Sequence, residues 1–270
     1  MASHEWNIID KYSLKSNEYY CAFLDILGYK EKSDKFFAGE YNLKGRFKRA
    51  IKVSLKAMQD AKDLKFVNSS KLKIEFFSDS IILTHPVDEN KIDALHNILH
   101  FSRILIAHLN LEELFVRGGI AKGEHIFETN EHFSFLSSKA LEKAYLLESQ
   151  KAIYPRVVID KDVLKNIDEY NLSEFVIKDK EDFILHYSPQ SINRDGDNLD
   201  DIFLELEDIH KIYINTNEDK VKEKYLWIIK YYYWTLTNIK NIDLNKFDKF
   251  YKLINQYLGE FRKVGFNEIS

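Results

Sequence analysis

The stretch KLKIEFFSDSIILTH, residues 71–85, constrains this chain more than any other. Two runs rich in β-branched and aromatic residues stand with only Ser78 and Asp79 between them. A two-residue connection between such runs closes an antiparallel hairpin. The hairpin carries an oddity, a carboxylate at its tip between two apolar strands. A second stretch, YYCAFLDILGYK at 19–30, repeats it: a buried strand over 19–27, ended by Gly28, carries Asp25 close to its end.

Helical periodicity surrounds the hairpin. Phe47, Ile51, Leu55 and Met58 predict a helix over about 45–65. Asp88 caps a second helix whose buried face holds Ile92, Leu95, Leu99, Ile106 and Leu109. LFVRGGIAKGEHIF follows as a strand, and its Gly118, Gly119 and Gly123 point to a bulge or a close approach of backbone to another element. SSKALEKAYLLES is a short helix with a stripe of Leu141, Ala144 and Leu147, and YPRVVID and FILHY (183–187) are further strands. The order β-α-β-β-α-β describes an α+β, ferredoxin-like split arrangement.

A first domain is expected over 1–190, closed by the polar, turn-rich SPQSINRDGDNLDD near 188–200. The aspartates of that stretch lack the ligand spacing of a calcium loop. A helical extension over 200–270 follows, packed on the core or on a second subunit. Its aromatic segments are YLWIIKYYYWTL and FDKFYKLINQYLGEF, the latter with Phe247, Tyr251, Ile254 and Leu258 on one face.

Several classes of function recede. A net charge of −4 without a local basic run argues against a nucleic-acid partner. The single cysteine, Cys21, excludes an internal disulfide framework and a four-cysteine zinc site, and reads as a small buried thiol. His96 and His100 lie four apart but lack the glutamate of a zinc protease motif. There is no Gly-x-Ser-x-Gly elbow. The N-terminus has no signal pattern and no apolar run approaches membrane-spanning length, so a soluble, cytoplasmic protein with no membrane partner is expected.

The two aspartates carry the chemistry. In a ferredoxin-like sheet the first strand and the hairpin can be neighbours, which brings Asp25 and Asp79 together. Two ionised carboxylates in contact repel, and one is driven toward protonation unless a cation joins them. Magnesium prefers one or two carboxylates plus substrate phosphates, so the pair reads as a two-metal phosphoryl-transfer site. The other reading makes Asp79 a turn residue and Asp25 a cap for the following helix.

FLDILGY, FFSDSIIL, VRGGIAKG and ALEKAYLLESQKAIYPRVVID, in this order across residues 19–187, resemble the class III nucleotide cyclases. More closely, they resemble the Pycsar pyrimidine cyclases of bacterial antiphage defence. The resemblance implies a palm-like catalytic domain working as a homodimer with a shared active site. It implies two Mg2+ or Mn2+ ions held by Asp25, Asp79 and the carbonyl of Ile26, and a turn of Leu27, Gly28 and Tyr29 that holds the triphosphate. Glu75 and Phe135 fall at the positions that read the base. Phenylalanine fills space and suits a pyrimidine, while glutamate accepts from either cytosine or uracil, so UTP and CTP both remain. The product would be cyclic UMP or cyclic CMP, a signal for a downstream cyclic-nucleotide-binding effector.

This chain also departs from the family. Where purine cyclases carry an Asn and an Arg on the helix after the glycine strand, it has Glu142 and Leu146. Leucine cannot stabilise an anionic transition state, so a cation must come from elsewhere. Arg117, Lys122, Lys139, Lys143 and Arg156 are candidates, and Arg156, opening a buried strand after Pro155, is the first choice. A purine cyclase with an altered helix, or a degenerate domain that only binds nucleotide or protein, are the other readings.

Overall fold

The computed structural model describes residues 17–61, 71–87, 90–129, 131–132, 134–187, 199–238 and 266–268. The first strand, β1 (Asn17–Ile26), is followed by helices α1 (Tyr29–Phe37) and α2 (Leu43–Ala61). The hairpin forms as expected from β2 (Lys73–Phe77) and β3 (Ser80–Pro86), with Phe77 opposite Ser80. Ser78 takes a left-handed φ of 55° at the first turn position, as the primed turns that match strand twist require. Helix α3 (Lys91–Leu111) comes next, its first turn capped by the Asn90 side chain. The expected cap, Asp88, lies outside the described residues. Ile92, expected to be buried, is 49% exposed because it falls in the first turn, beyond the cover of the sheet.

The long strand β4 (Val116–Thr129) carries the glycines, and β5 (Ser134–Ser138) folds back on its distal half. The remaining elements are α4 (Lys139–Lys151), β6 (Val157–Ile159), α5 (Lys161–Glu169), β7 (Val176–Asp179), β8 (Asp182–Leu185), α6 (Leu199–Asn215), α7 (Asp219–Asn238) and β9 (Phe266–Glu268). The sheet runs β2-β3-β1-β4-β6-β8-β7-β9. Its first four strands are antiparallel neighbours, so β3 separates β2 from β1 and β1 separates β3 from β4. That is the split βαβ order expected from the sequence. β6 then extends the sheet by pairing parallel to β4. Helix α1 went unforeseen because it buries none of its residues and has no apolar stripe to announce it.

The side chains of β1 alternate between two layers, as strand geometry dictates. Tyr20, Ala22, Leu24 and Ile26 join the larger core, with α3 and its Leu95, Ile98 and Leu99. Cys21 and Phe23 point to the other face, into a small cluster with Ile82, Ala121 and the α4 residues Ala140 and Ala144. Helices α6 and α7 contribute Ile202, Leu206, Ile228, Tyr231 and Tyr232 to the larger core. The aromatic segment 225–236 is thus a helix packed on the sheet layer, while segment 247–261 lies outside the described residues. Among the described residues no helix is long and apolar enough to cross a membrane.

Candidate functional site

The site begins with the glycines of β4. A Cβ added at Gly119 would stand 2.7 Å from the Leu147 Cβ and closer still to the Ala144 carbonyl oxygen. At Gly123 it would stand 2.9 Å from the Ala140 amide nitrogen. Both neighbours belong to α4, so the glycines remove side chains where the helix backbone lies against the strand. Ser138 accepts from the Leu141 amide at 3.0 Å and fixes where the helix starts. Laid this close, α4 buries Glu148 in its last turns, over the sheet.

Asp25 lies opposite Ser80 on one side and Arg117 on the other. The Asp79 carbonyl accepts from the Ile26 amide at 2.9 Å, which ties the hairpin tip to the end of β1. The two aspartates, 54 positions apart in sequence, therefore meet through backbone pairing. Arg117 joins them. Its Nε donates to Asp25 Oδ2 at 3.0 Å, and its Nη2 stands 2.8 Å from Glu148 Oε1. The second contact is an ion pair without hydrogen-bond alignment, since Glu148 Oε1 is buried with no hydrogen-bond partner among the described residues.

The electrostatics follow from this crowding. Burial raises the Asp25 carboxyl above the ordinary carboxylate range, and the charge of Asp79 pushes the same way. The hydrogen bond and charge of Arg117 oppose the shift, as does Lys224 on α7. Glu148 is also raised, first by burial and then by Asp25 and Asp79, against the pull of Arg117. Asp25 and Glu148 thus share one guanidinium beside the further negative charge of Asp79, an arrangement short of positive charge.

Hard oxygen donors of this kind suit Mg2+ or Mn2+ rather than a softer metal. Asp25 and Asp79 are the carboxylates whose backbones converge, and an additional cation between them would relieve the charge excess. Among the described residues no three His, Cys, Asp or Glu side chains converge as a ready-made metal cage. His96 and His100 stack on each other at 5.4 Å and pack edge-on to Phe175, and burial lowers both imidazoles.

The other expected residues divide. Leu27, Gly28 and Tyr29 form the turn into α1, where Gly28 caps the helix with φ of 69°, and Leu27 and Gly28 line a cavity of about 530 Å3. Glu75 lies opposite Ile82, which lies opposite Phe23, so Glu75 shares the Asp25 face of the sheet, and its charge reaches buried Cys21. Phe135 does not join them. It sits on β5 opposite Glu128, eleven residues up β4 from Arg117, or about 36 Å of extended strand. Glu142 is at the exposed start of α4 in an ion pair with Lys139 at 2.7 Å.

Arg156, the first-choice cation, is turned elsewhere. Its guanidinium is 2.6 Å from Asp179 and 2.7 Å from Asp182, and donates to the Lys151 carbonyl. Trp227 also donates to Asp179, so Arg156 is a buried strut between β6, the β7–β8 hairpin and α7. Lys122 pairs with Glu18 and Lys143 with Asp162. The cation at the aspartates is Arg117. Glu148, Lys224 and the half-exposed Tyr145, edge-on to Phe23 at 5.5 Å, were missed in sequence. Only Glu148 left a signal there, as a carboxylate on the sheet-facing side of an amphipathic helix.

By sequence, no family profile and no curated protein matches the chain. Among solved structures it is similar to the adenylyl cyclase CyaB from P. aeruginosa, at 13% identity and a TM-score of 0.41, over 63% of this chain and 92% of that one. It is also similar to the dimeric guanylyl cyclase domain of the RhoGC fusion protein from the aquatic fungus Blastocladiella emersonii, at 15% identity and a TM-score of 0.44, over 63% and 96%. A bacterial light-regulated adenylyl cyclase matches at 12% identity and a TM-score of 0.43, over 62% and 50%.

Proposed function

We propose that this chain is a pyrimidine nucleotide cyclase, converting UTP or CTP to the 3′,5′-cyclic monophosphate and pyrophosphate. The observation that carries the reading is the meeting of Asp25 and Asp79, from separate elements, beside the cavity that opens at Leu27 and Gly28. Crowded carboxylates destabilise a fold unless something cationic is to be bound there.

In this reading Asp25 and Asp79 hold Mg2+ or Mn2+, with the Ile26 carbonyl as a further oxygen donor. Such ions, when bound, neutralise phosphate charge and acidify a coordinated hydroxyl. Arg117 orients Asp25, and Glu148 in turn holds Arg117. The turn at Leu27, Gly28 and Tyr29 receives the triphosphate. The ribose 3′-oxygen loses its proton to solvent and bonds to the α-phosphorus. The bond from that phosphorus to the β-phosphate bridge breaks, and pyrophosphate leaves with the electron pair.

Glu75, on the same face, reads the base. Phe135, paired eleven residues up β4 from the Arg117 that faces Asp25, is too far from Asp25 to reach the same site, which favours a homodimer in which β5 of one subunit closes the site of the other. The product would serve as a defence signal read by a cyclic-nucleotide-binding effector. The test is to incubate the protein with Mn2+ and each of the four ribonucleoside triphosphates separately, identifying products by mass, with Asp79→Ala as control. A cyclic pyrimidine monophosphate lost in the variant supports the reading. A cyclic purine product overturns the base assignment, and no product from any nucleotide overturns the activity.

A further inference from the structure

The role of the helices after residue 199 is open in the sequence, yet α7 reaches the cavity that opens at Leu27 and Gly28. Val221, Lys224, Tyr225 and Ile228 recur at helical spacing, so one face of α7 forms a wall. Lys32 comes from α1, and Leu27 and Gly28 from the turn after β1. At about 530 Å3 the cavity has the size of a small-ligand site.

Its charge is unbalanced toward the positive. Two carboxylates line it, but each is engaged. Glu31 pairs with Lys35 at 2.6 Å, and Glu113 with Arg46 at 3.7 Å. Among the described residues neither Lys32 nor Lys224 has a carboxylate within 4.0 Å, and Lys32 instead lies 5.3 Å over the Tyr41 ring. Burial lowers the Lys32 ammonium, with Glu113 and Glu31 resisting and Arg46 and Lys35 assisting. Leu27 and Gly28, which line the same cavity, directly follow Asp25 and Ile26 in the chain, so the cavity opens at the end of the strand that carries the crowded carboxylate. Two ammonium groups on separate elements, without a salt-bridge partner among the described residues, suit a multivalent anion, and lysine binds phosphate as a point charge.

We propose that α7 is part of the active site, with Lys224 and Lys32 binding the terminal phosphates of the substrate from two sides. This rests on the cyclase reading above. It assigns to the helical extension the positive charge that Leu146 cannot supply and that Arg156 holds elsewhere. The ligand chemistry is a polyphosphate chain, whatever base is attached.

The test separates the two readings by probing binding without turnover. Inorganic tripolyphosphate, with Mg2+ present, is titrated calorimetrically into the full chain and into Lys224→Met and Lys32→Met. Lys220→Met, exposed on the same helix, is the control, and Lys224→Arg preserves charge should the methionine variant fold poorly. The expected result is binding weakened about tenfold in both methionine variants, retained in Lys224→Arg and unchanged in Lys220→Met. For UTP or CTP turnover, KM rises more than kcat falls. Lys224-dependent tripolyphosphate binding in a protein that makes no cyclic product still supports the anion site while the cyclase reading fails. Equal binding by the parent and Lys224→Met, or no binding by the parent, overturns the proposal even if the enzyme is active.

Discussion

Replacing Gly119 by alanine tests how the site is assembled, because it asks α4 to share space with one methyl group. The new Cβ would stand 2.7 Å from the Leu147 Cβ and 3.1 Å from the Ala144 carbonyl carbon. Carbon atoms settle at about 3.5–4.0 Å, so the helix must retreat by about 1 Å. The Ala144 neighbour is backbone, which cannot rotate out of the way as a side-chain tip can. Overpacking of this kind costs about 1–3 kcal/mol. For a chain of this size that lowers Tm by about 3–10 °C. The retreat also carries Glu148 away from Arg117, whose guanidinium then loses one of the two carboxylates that hold it. Activity measured well below Tm should therefore fall more than the loss of stability explains. The assay is thermal unfolding beside product formation at low temperature. Gly39→Ala is the comparison, since its added Cβ meets nothing within 4 Å and it pays only for a φ of 79°. If Gly119→Ala melts with the parent and forms product at the same rate, the close seating of α4 does not hold the site together.

Three other outcomes follow from the same geometry. Asp25→Asn and Asp79→Asn should each lower product formation by at least about 100-fold while the fold persists, checked by turnover and circular dichroism. Arg156→Met leaves buried Asp179 with only the Trp227 donor and Asp182 with only Lys151, and breaking such a buried pair costs about 3–5 kcal/mol in denaturant unfolding without changing the nucleotide affinity of the folded protein. Burial pushes the Glu205 carboxyl from 4.5 up to about 8, against the hydrogen bond donated by the Tyr232 hydroxyl. The folded state therefore keeps a proton that the unfolded chain releases, and stability falls as pH rises toward 8. Between pH 5.5 and 7.5 the loss is about 2.5 kcal/mol, absent in Glu205→Gln. The buried histidines slope the other way in both proteins and cancel in the comparison. Matching pH profiles for parent and variant would contradict the raised Glu205.

Much of the frame was legible in the chain itself, and for local reasons. The Ser78–Asp79 turn, the alternating faces of β1 and the stripe of α3 are each decided by neighbours within a few residues. So the split βαβ order and the placement of Asp25 and Asp79 at strand ends were readable as patterns. The glycines of β4 also signalled a close backbone approach, though not which backbone. Partnership across the chain was not legible. Arg156 and Arg117 look alike in sequence, each at the start of an apolar strand. Only the β7–β8 hairpin, bringing Asp179 and Asp182 to one of them, and α4, bringing Glu148 to the other, decide which remains at the aspartates. Lys224 is one lysine among several on an aromatic-rich helix until the packing of α7 sets it in the wall of the cavity at Leu27 and Gly28. The sequence by itself determined the elements that carry an apolar period, though not α1, and the unusual carboxylates, because hydrophobic period and turn chemistry act over short range. Which charges meet was decided by the tertiary structure alone, because Coulomb interactions depend on distance in space and not along the chain.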